Sequence, residues 1–394
     1  MARVVLAMSG GVDSSVAAWL LRQEGHDVVG LFMRHGVGAE RACPTGSEPR
    51  SRKKRCCSAA DAADAQRVAD MLDLPFYALN FDADFGRIVD YFVDEYTAGR
   101  TPNPCILCNT WLKFGKLFEY ADRVGARYVA TGHYARLVWE KGTGPICAKH
   151  RAPAEGWSGR TNLRSVPGKL DLSPFPALPA LCRGRDAGKD QSYVLFGIKR
   201  RLLGRLLFPV GEHRKEEIRR IAGRLGLRVA GKPDSQEICF VPDGDHTRLI
   251  REHRGEVDTS GEIVTTDGTV VGRHGGLERF TVGQRKGLGI AFGERRFVVC
   301  LEPDTRRVVV GTKDELARTE LTAGGVNWLV EEPVAPFRCQ VKIRYRNRAV
   351  AATVEPLAGD RFWVRFDEPR HGVAPGQAAV CYDGDRLLGG GWIE

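Results

Sequence analysis

The chain has 394 residues, 43% hydrophobic and 27% charged, the make-up of an ordinary soluble globular protein with room for two or three domains. No apolar run approaches the roughly 18 residues of a membrane helix, and Met1-Ala2-Arg3 leads straight into a strand without a cleavable signal, so a cytoplasmic protein with no membrane partner is expected. A formal charge of +10 favours a polyanionic partner, nucleic acid first, and 11 cysteines in a reducing compartment point to redox chemistry, sulfur transfer or metal.

Val4 to Met8 is an apolar run the size of a buried parallel strand. Ser9-Gly10-Gly11-Val12-Asp13-Ser14-Ser15 follows, then a helical pattern through Val16, Ala17, Trp19, Leu20 and Leu21. A strand, a glycine-rich loop and a helix start aim backbone N–H groups and the helix dipole at an anion, and Ser9, Ser14 and Ser15 add hydroxyls. Asp13 beside a phosphate calls for Mg2+ or for departure of pyrophosphate. The segment lacks the Gly-x-x-x-x-Gly-Lys-Ser/Thr pattern of kinases and GTPases. It resembles the pyrophosphate loop of ATP-pyrophosphatases, which cleave ATP between the α and β phosphates.

Further strands are expected at Asp27 to Met33, Phe76 to Phe81 and Tyr128 to Thr131, and helices at Ala59 to Leu72 and Phe85 to Tyr96. This alternation predicts an α/β domain with a parallel sheet and ligands at the C-terminal strand ends. Residues 36–55 and 139–188 read as surface insertions, the second a long mobile loop. The predicted domains are 1–205, a central module at 206–283 with a helix over Lys215 to Leu225, and a small β-barrel at 284–394.

Thr101-Pro102-Asn103-Pro104-Cys105-Ile106-Leu107-Cys108-Asn109 places a cysteine at a helix start, where the dipole favours the thiolate. Cys239 sits in a comparable tight segment after Asp234-Ser235. Cys43, Cys56, Cys57, Cys147, Cys182, Cys300, Cys339 and Cys381 lack such surroundings and read as inert. No second Cys-x-x-Cys completes a structural zinc site. Cys339, Val341, Ile343 and Tyr345 alternate with Gln340, Lys342, Arg344 and Arg346, which predicts one strand with a basic face that tracks phosphates.

Together these segments resemble the bacterial tRNA-specific 2-thiouridylases from end to end. The matches are Ser9 to Ser15, Gly99 to Pro104, Leu107 to Asn109, Ala130 to Tyr134, Lys189 to Tyr193, Phe208 to Gly211, Ile238 to Phe240, Gly283 to Gly289, Arg344 to Arg346 and Pro375 to Gln377. The resemblance implies a Rossmann-like (adenine nucleotide alpha hydrolase-like) N-terminal domain, a small central domain and a C-terminal β-barrel. It implies ATP-dependent 2-thiolation of the wobble uridine of tRNA through an adenylated C2 oxygen, releasing AMP and pyrophosphate. ATP with Mg2+ would lie against Ala7, Met8, Ser9, Gly10, Gly11, Val12, Asp13, Ser14, Met33 and Gly132. Cys239 would carry sulfur as a persulfide, and Cys108 would be the second catalytic thiol, ending in a disulfide or releasing sulfide. Asn103, Pro104 and Cys105 would form the target-base pocket, and His133, Lys189, Asp190, Gln191, Arg344, Tyr345 and Gln377 would contact tRNA. A sulfur-donating carrier protein or sulfide would be a further partner.

Many members of the family have an aspartate where this chain has Cys105. Cys105, Cys108 and Cys239 therefore offer three thiolates, a pattern with which some related tRNA thiolases hold a [4Fe-4S] cluster. The cluster route and the metal-free persulfide route both stand on the sequence. Two other classes also stand: another adenylating tRNA-modifying ligase, which needs no cysteine pair, and a non-catalytic tRNA-binding module.

Overall fold

A computed structural model describes residues 1–35, 59–139, 178–234, 238–241, 244–255 and 257–394. The first unit is a five-stranded parallel sheet built from β1 (Arg3–Ala7), β2 (Asp27–Arg34), β3 (Phe76–Asn80), β4 (Tyr128–Thr131) and β7 (Leu206–Leu207), in the order β3-β2-β1-β4-β7. Strand β1 is buried on both faces, as its unbroken apolar run requires. Val4, Leu6 and Met8 face α1 (Val12–Gln23), α2 (Ala59–Met71) and α6 (Lys215–Arg224) through Val16, Ala17, Ala65, Val68, Ile218 and Ala222. Val5 and Ala7 face α3 (Asp82–Thr97) and α5 (Leu117–Arg123) through Phe85, Ile88, Leu117 and Ala121. The chain leaves β1 toward β2 on one side and β4 lies on the other, so the loop after β1 opens at the topological switch point, where doubly wound sheets bind ligands.

Between α3 and α5 lie the short helix α4 (Pro104–Leu107) and a wide, π-type turn of helix over Cys108–Lys116. Wide turns of this kind recur at functional sites.

The remaining chain divides differently from the sequence expectation. Helix α6, read as part of a central module, belongs to the first domain's core. The central sheet comprises β8 (Gly261–Thr265), β9 (Val270–His274), β10 (Phe297–Glu302) and β11 (Arg307–Gly311), in the order β10-β11-β8-β9 around Ile263, Phe280, Val298 and Val308. Strands β10 and β11 therefore pair with the central module, although they fall after residue 284, where the sequence placed the barrel. The barrel is built from β12 (Ala317–Trp328), β13 (Phe337–Lys342), β14 (Val350–Leu357), β15 (Arg361–His371), β16 (Ala378–Asp383) and β17 (Arg386–Ile393). These antiparallel strands run β12-β15-β14-β13-β16-β17, and a β12–β17 pairing closes the ring.

The segment read as one long loop re-enters the fold before residue 188. Ala180–Arg183 (β6) pairs antiparallel with Ala135–Val138 (β5), and this hairpin joins β17 at Arg386. On β16, Ala379 and Cys381 point into the barrel while Ala378, Val380 and Tyr382 enter the core that holds Tyr193 and Phe196. No described helix is long and apolar enough to cross a membrane.

Candidate functional site

The loop after β1 is held from several directions. Gly10 has φ +69°, and a Cβ there would lie 2.1 Å from the Asp61 carbonyl oxygen, so only glycine fits. Lys232 Nζ donates to the Gly10 carbonyl at 2.7 Å, and also to Asp61 and Asp64. Ser14 Oγ accepts from the Ser9 backbone N–H at 3.2 Å and lies 3.3 Å from Ser9 Oγ. From β4, Gly132 comes so close that its Cβ would sit 2.8 Å from Ser14 N. The switch point thus brings Ser9, Gly10, Asp13, Ser14 and Gly132 together.

Asp13, partly exposed, is engaged by one lysine and one tyrosine. Lys215 Nζ lies 2.8 Å from each Asp13 carboxylate oxygen, and the Tyr134 hydroxyl donates to Oδ1 at 2.7 Å. Burial, and then the negative charge of Asp13, pushes the Tyr134 phenol far above its ordinary range, so it stays a donor. The same Lys215 nitrogen lies 2.8 Å from Asp234 Oδ1. Asp234 also accepts from Lys189 at 2.7 Å and Arg219 at 3.1 Å. Burial alone would raise the Asp234 carboxyl, but bonds from Lys189 and Lys215 outweigh it and hold it below the usual range. With both oxygens of Asp13 on Lys215, these residues do not fit a magnesium ion held directly by Asp13.

The two catalytic-cysteine candidates pack on one core. Cys108 and Cys239, both half-buried, lie against the cluster that contains Phe85, Ile88, Ile106 and Leu112. Phe240 anchors the Cys239 segment edge-on against Phe85 and Phe92, with centroids 5.6 and 5.1 Å away. Cys105 is exposed. Among the described residues no three His, Cys, Asp or Glu side chains are gathered to hold a metal ion. Cys105, Cys108 and Cys239 are all described, so the three-cysteine ligand set expected for a [4Fe-4S] cluster is not assembled in this arrangement.

The segment expected to form the target-base pocket is braced by the barrel at Thr101 and Pro102. Gln377 Nε2 donates to the Thr101 and Pro102 carbonyls at 3.0 and 3.2 Å, and the Thr101 N–H donates to the Pro375 carbonyl at 2.8 Å. Tyr345, 39% exposed, is near enough to Cys105 and Asp190 that their charge adds to burial in raising its phenol. Lys342 Nζ lies 5.6 Å from the Tyr193 ring and 5.5 Å from that of Tyr345.

Other expected tRNA contacts face inward. Gln191 exchanges two hydrogen bonds with the Tyr134 backbone, both 2.9 Å. Asp190 accepts from the Gly184 and Ser192 N–H groups, each at 3.1 Å. The basic alternation ends early: β13 stops at Lys342, and Arg344 turns to donate to the Val282 carbonyl at 2.7 Å. Lys342, Arg344 and Arg346 therefore do not share one strand face. Met33, the penultimate residue of β2, lies at the edge of the same core as the cysteines. Cys182, Cys339 and Cys381 are buried but Cys300 is exposed, and Cys43, Cys56, Cys57 and Cys147 lie outside the described residues.

His133 is 7% exposed, with Nδ1 2.7 Å from Thr131 Oγ1. Burial, helped by Lys113, pulls its pKa well below 6.5. The unfolded chain thus binds a proton that the native state refuses. Stability should be intact above pH 6.5 and fall as pH drops below it, by up to about 1.4 kcal/mol per pH unit from this group. Denaturant titrations at a series of pH values should show a shallower fall for His133→Gln, and equal slopes would disprove the assignment.

Sequence reasoning missed Lys215, Lys232 and the wide helical turn. Lys232 and Asp234 stand just upstream of the Cys239 motif, a signal that was available.

Comparison with known proteins follows these three units. The chain matches the tRNA methyl transferase HUP domain over residues 2–151 and 177–243, the tRNA methyl transferase PRC-barrel domain over 248–312, and the aminomethyltransferase β-barrel domain over 318–393. It is 49% identical over 419 residues to a protein of Rhodopirellula baltica named tRNA-specific 2-thiouridylase MnmA, covering 100% of this chain and 96% of the relative. Relatives of the same name in Geobacter metallireducens and Solibacter usitatus are 46% and 45% identical, covering 100% and 99% of this chain and 96% and 99% of their own lengths. The fold, the glycine-rich loop at the switch point and this full-length similarity agree: the chain belongs to the tRNA-specific 2-thiouridylase family.

Proposed function

We propose that this chain is a tRNA-uridine 2-sulfurtransferase that uses ATP to activate the base it thiolates. The observation that carries the reading is the meeting, on one domain, of an anion-binding loop at the switch point and two cysteines packed on a shared core.

The C2 oxygen of uridine is a poor leaving group. In the proposed sequence it attacks the α phosphorus of ATP, and the bond from that phosphorus to the bridging oxygen breaks to release pyrophosphate. The terminal sulfur of a Cys239 persulfide then attacks C2, and AMP departs with the former C2 oxygen. The Cys108 thiolate attacks Cys239 Sγ, freeing the thiolated base and leaving a Cys108–Cys239 disulfide for an external thiol to reduce. No step passes through an iron–sulfur cluster or a protein-held metal. Sulfane sulfur reaches Cys239 from a persulfide on a carrier protein: the Cys239 thiolate takes the carrier's terminal sulfur, and the carrier cysteine leaves as a thiolate. Cys105 stands exposed at the base pocket, which Gln377 braces. Ser9, Gly10, Ser14 and Gly132 shape the phosphate site, and Met33 lies on the adenosine side.

The test is nucleoside mass spectrometry of tRNA incubated with protein, ATP and a persulfide donor. The expected products are 2-thiouridine, AMP and pyrophosphate. Formation of ADP, or AMP release without thiolated nucleoside, would count against the reading.

Arg346 and Arg348 are exposed, whereas Arg344 is half-buried and bonded to the central module. Neutralising Arg346 and Arg348 together should lower the salt dependence of tRNA binding by about one to two charges. A binding titration across salt concentrations checks it, and an unchanged slope would remove this loop from the interface.

A further inference from the structure

Cys105 and Cys108 share a single helical turn. The Cys108 N–H donates to the Cys105 and Pro104 carbonyls, and the Ile106 N–H donates to the Asn103 carbonyl at 3.2 Å. Side chains three residues apart on such a turn are neighbours, with Cα atoms about 5 Å apart, inside the roughly 4.4–6.8 Å that a disulfide spans. The two residues between them fix the turn. Ile106 is 1% and Leu107 7% exposed, and both belong to the core on which Cys108 and Cys239 pack. Cys105 is exposed, whereas Cys108 and Cys239 are half-buried. Of the other described cysteines, Cys182, Cys339 and Cys381 are buried, and Cys300 stands on β10 of the central sheet. Cys105 is thus the described thiol that is both open to solvent and one turn from Cys108.

We propose that Cys105 is a third catalytic thiol, which resolves the Cys108–Cys239 disulfide left by each turnover. The proposal rests on the two-thiol reading above. That disulfide joins two half-buried sulfurs against an apolar core, where a reductant from solution has poor access. The Cys105 thiol loses its proton to water, and the thiolate attacks Cys108 Sγ. A Cys105–Cys108 bond forms, the Cys108–Cys239 bond breaks, and its electron pair leaves on Cys239 Sγ. The exchange is redox-neutral and returns Cys239 as the thiolate that takes the next sulfane sulfur. The new disulfide has one exposed sulfur. A dithiol reductant attacks Cys105 Sγ and releases Cys108 as a thiolate. It then closes on itself to release Cys105, so the reductant supplies the two electrons.

The disulfide present after one thiolating turnover identifies the resolving thiol. Full-length protein preloaded with persulfide is given tRNA and ATP without reductant, then alkylated, digested and mapped by mass spectrometry. The expected bond is Cys105–Cys108, with Cys239 alkylated, and Cys105→Ser should hold Cys108–Cys239 instead. A wild type that holds Cys108–Cys239 with Cys105 alkylated would overturn the proposal without need of a variant. With the carrier persulfide in excess and little dithiothreitol, Cys105→Ser should lose about 10- to 100-fold more rate in later turnovers than in the first. Raising dithiothreitol should return most of that excess, because the bulk dithiol then does the work of Cys105. A loss already complete in the first turnover, or one that reductant does not relieve, would leave Cys105 with a role in the base pocket alone and overturn the proposal. If a turnover that thiolates tRNA leaves no disulfide of any kind, the two-thiol reading itself falls, and this proposal with it.

Discussion

Replacing Cys239 by serine is expected to lower tRNA 2-thiolation by more than about a thousandfold while tRNA-dependent pyrophosphate release continues for the first turnover. A serine hydroxyl cannot carry a sulfane sulfur, so the adenylated uridine forms and waits. The change removes no anchor from the fold, because Phe240, not Cys239, enters the aromatic pocket of Phe85 and Phe92. Cys108→Ser should differ in kind. With the persulfide supplied, C2 is attacked and AMP leaves, but the tRNA stays bonded through sulfur to Cys239. Denaturing gels should show a protein–tRNA adduct, dissolved by reductant, for Cys108→Ser alone. Full turnover by either variant would remove the two-thiol mechanism and favour an adenylating ligase.

Gly132→Ala is expected to weaken nucleotide binding strongly. The added methyl would lie 2.8 Å from Ser14 N, 3.0 Å from the Asp13 carbonyl carbon and 3.1 Å from Ser14 Cα. All three are backbone atoms of α1's first turn, so no rotamer change relieves the clash. Either β4 or α1 must shift, at a cost of about 1–3 kcal/mol in stability. The N–H groups that cradle phosphate move with α1, so ATP affinity should fall at least about tenfold. Gly86→Ala is the control. It lies inside α3 with nothing within 4 Å of its added methyl, and should stabilise the protein by about 0.5–1 kcal/mol. Thermal melts and nucleotide titrations of the pair check both expectations, and normal ATP binding by Gly132→Ala would contradict the placement of the site.

The first domain was legible because its signals are local. An apolar run before two glycines makes a buried strand and a tight turn, and the spacing of Val16, Ala17 and Leu21 makes a helix face. Helices predicted from Ala59 and Lys215 begin at those residues. What was not legible depends on partners far away in sequence. Strands β10 and β11 look like barrel strands, since period-2 alternation says that a strand has a buried face and not which sheet it joins. Arg344 continued the basic alternation on paper, but pairing of β13 with β16 stops at Lys342, and beyond that point alternation has no meaning. The inert reading of Cys339 and Cys381 rested on missing context and agrees with their burial, while Cys300 lacked the same context and is exposed. Lys215 looked like an ordinary helix-start lysine until the fold set it on Asp13.

Strand β16 is a party wall. One side chain in two lines the barrel, and the alternate ones, Ala378, Val380 and Tyr382, line the same core on which Cys108 and Cys239 rest. Removing the barrel would strip a face from the catalytic domain and leave Tyr193 and Phe196 open to water. The barrel is therefore not a detachable handle for RNA, and the two units should melt as one cooperative block. A destabilising change deep in the barrel, far from any reacting atom, would loosen the platform beneath both thiols.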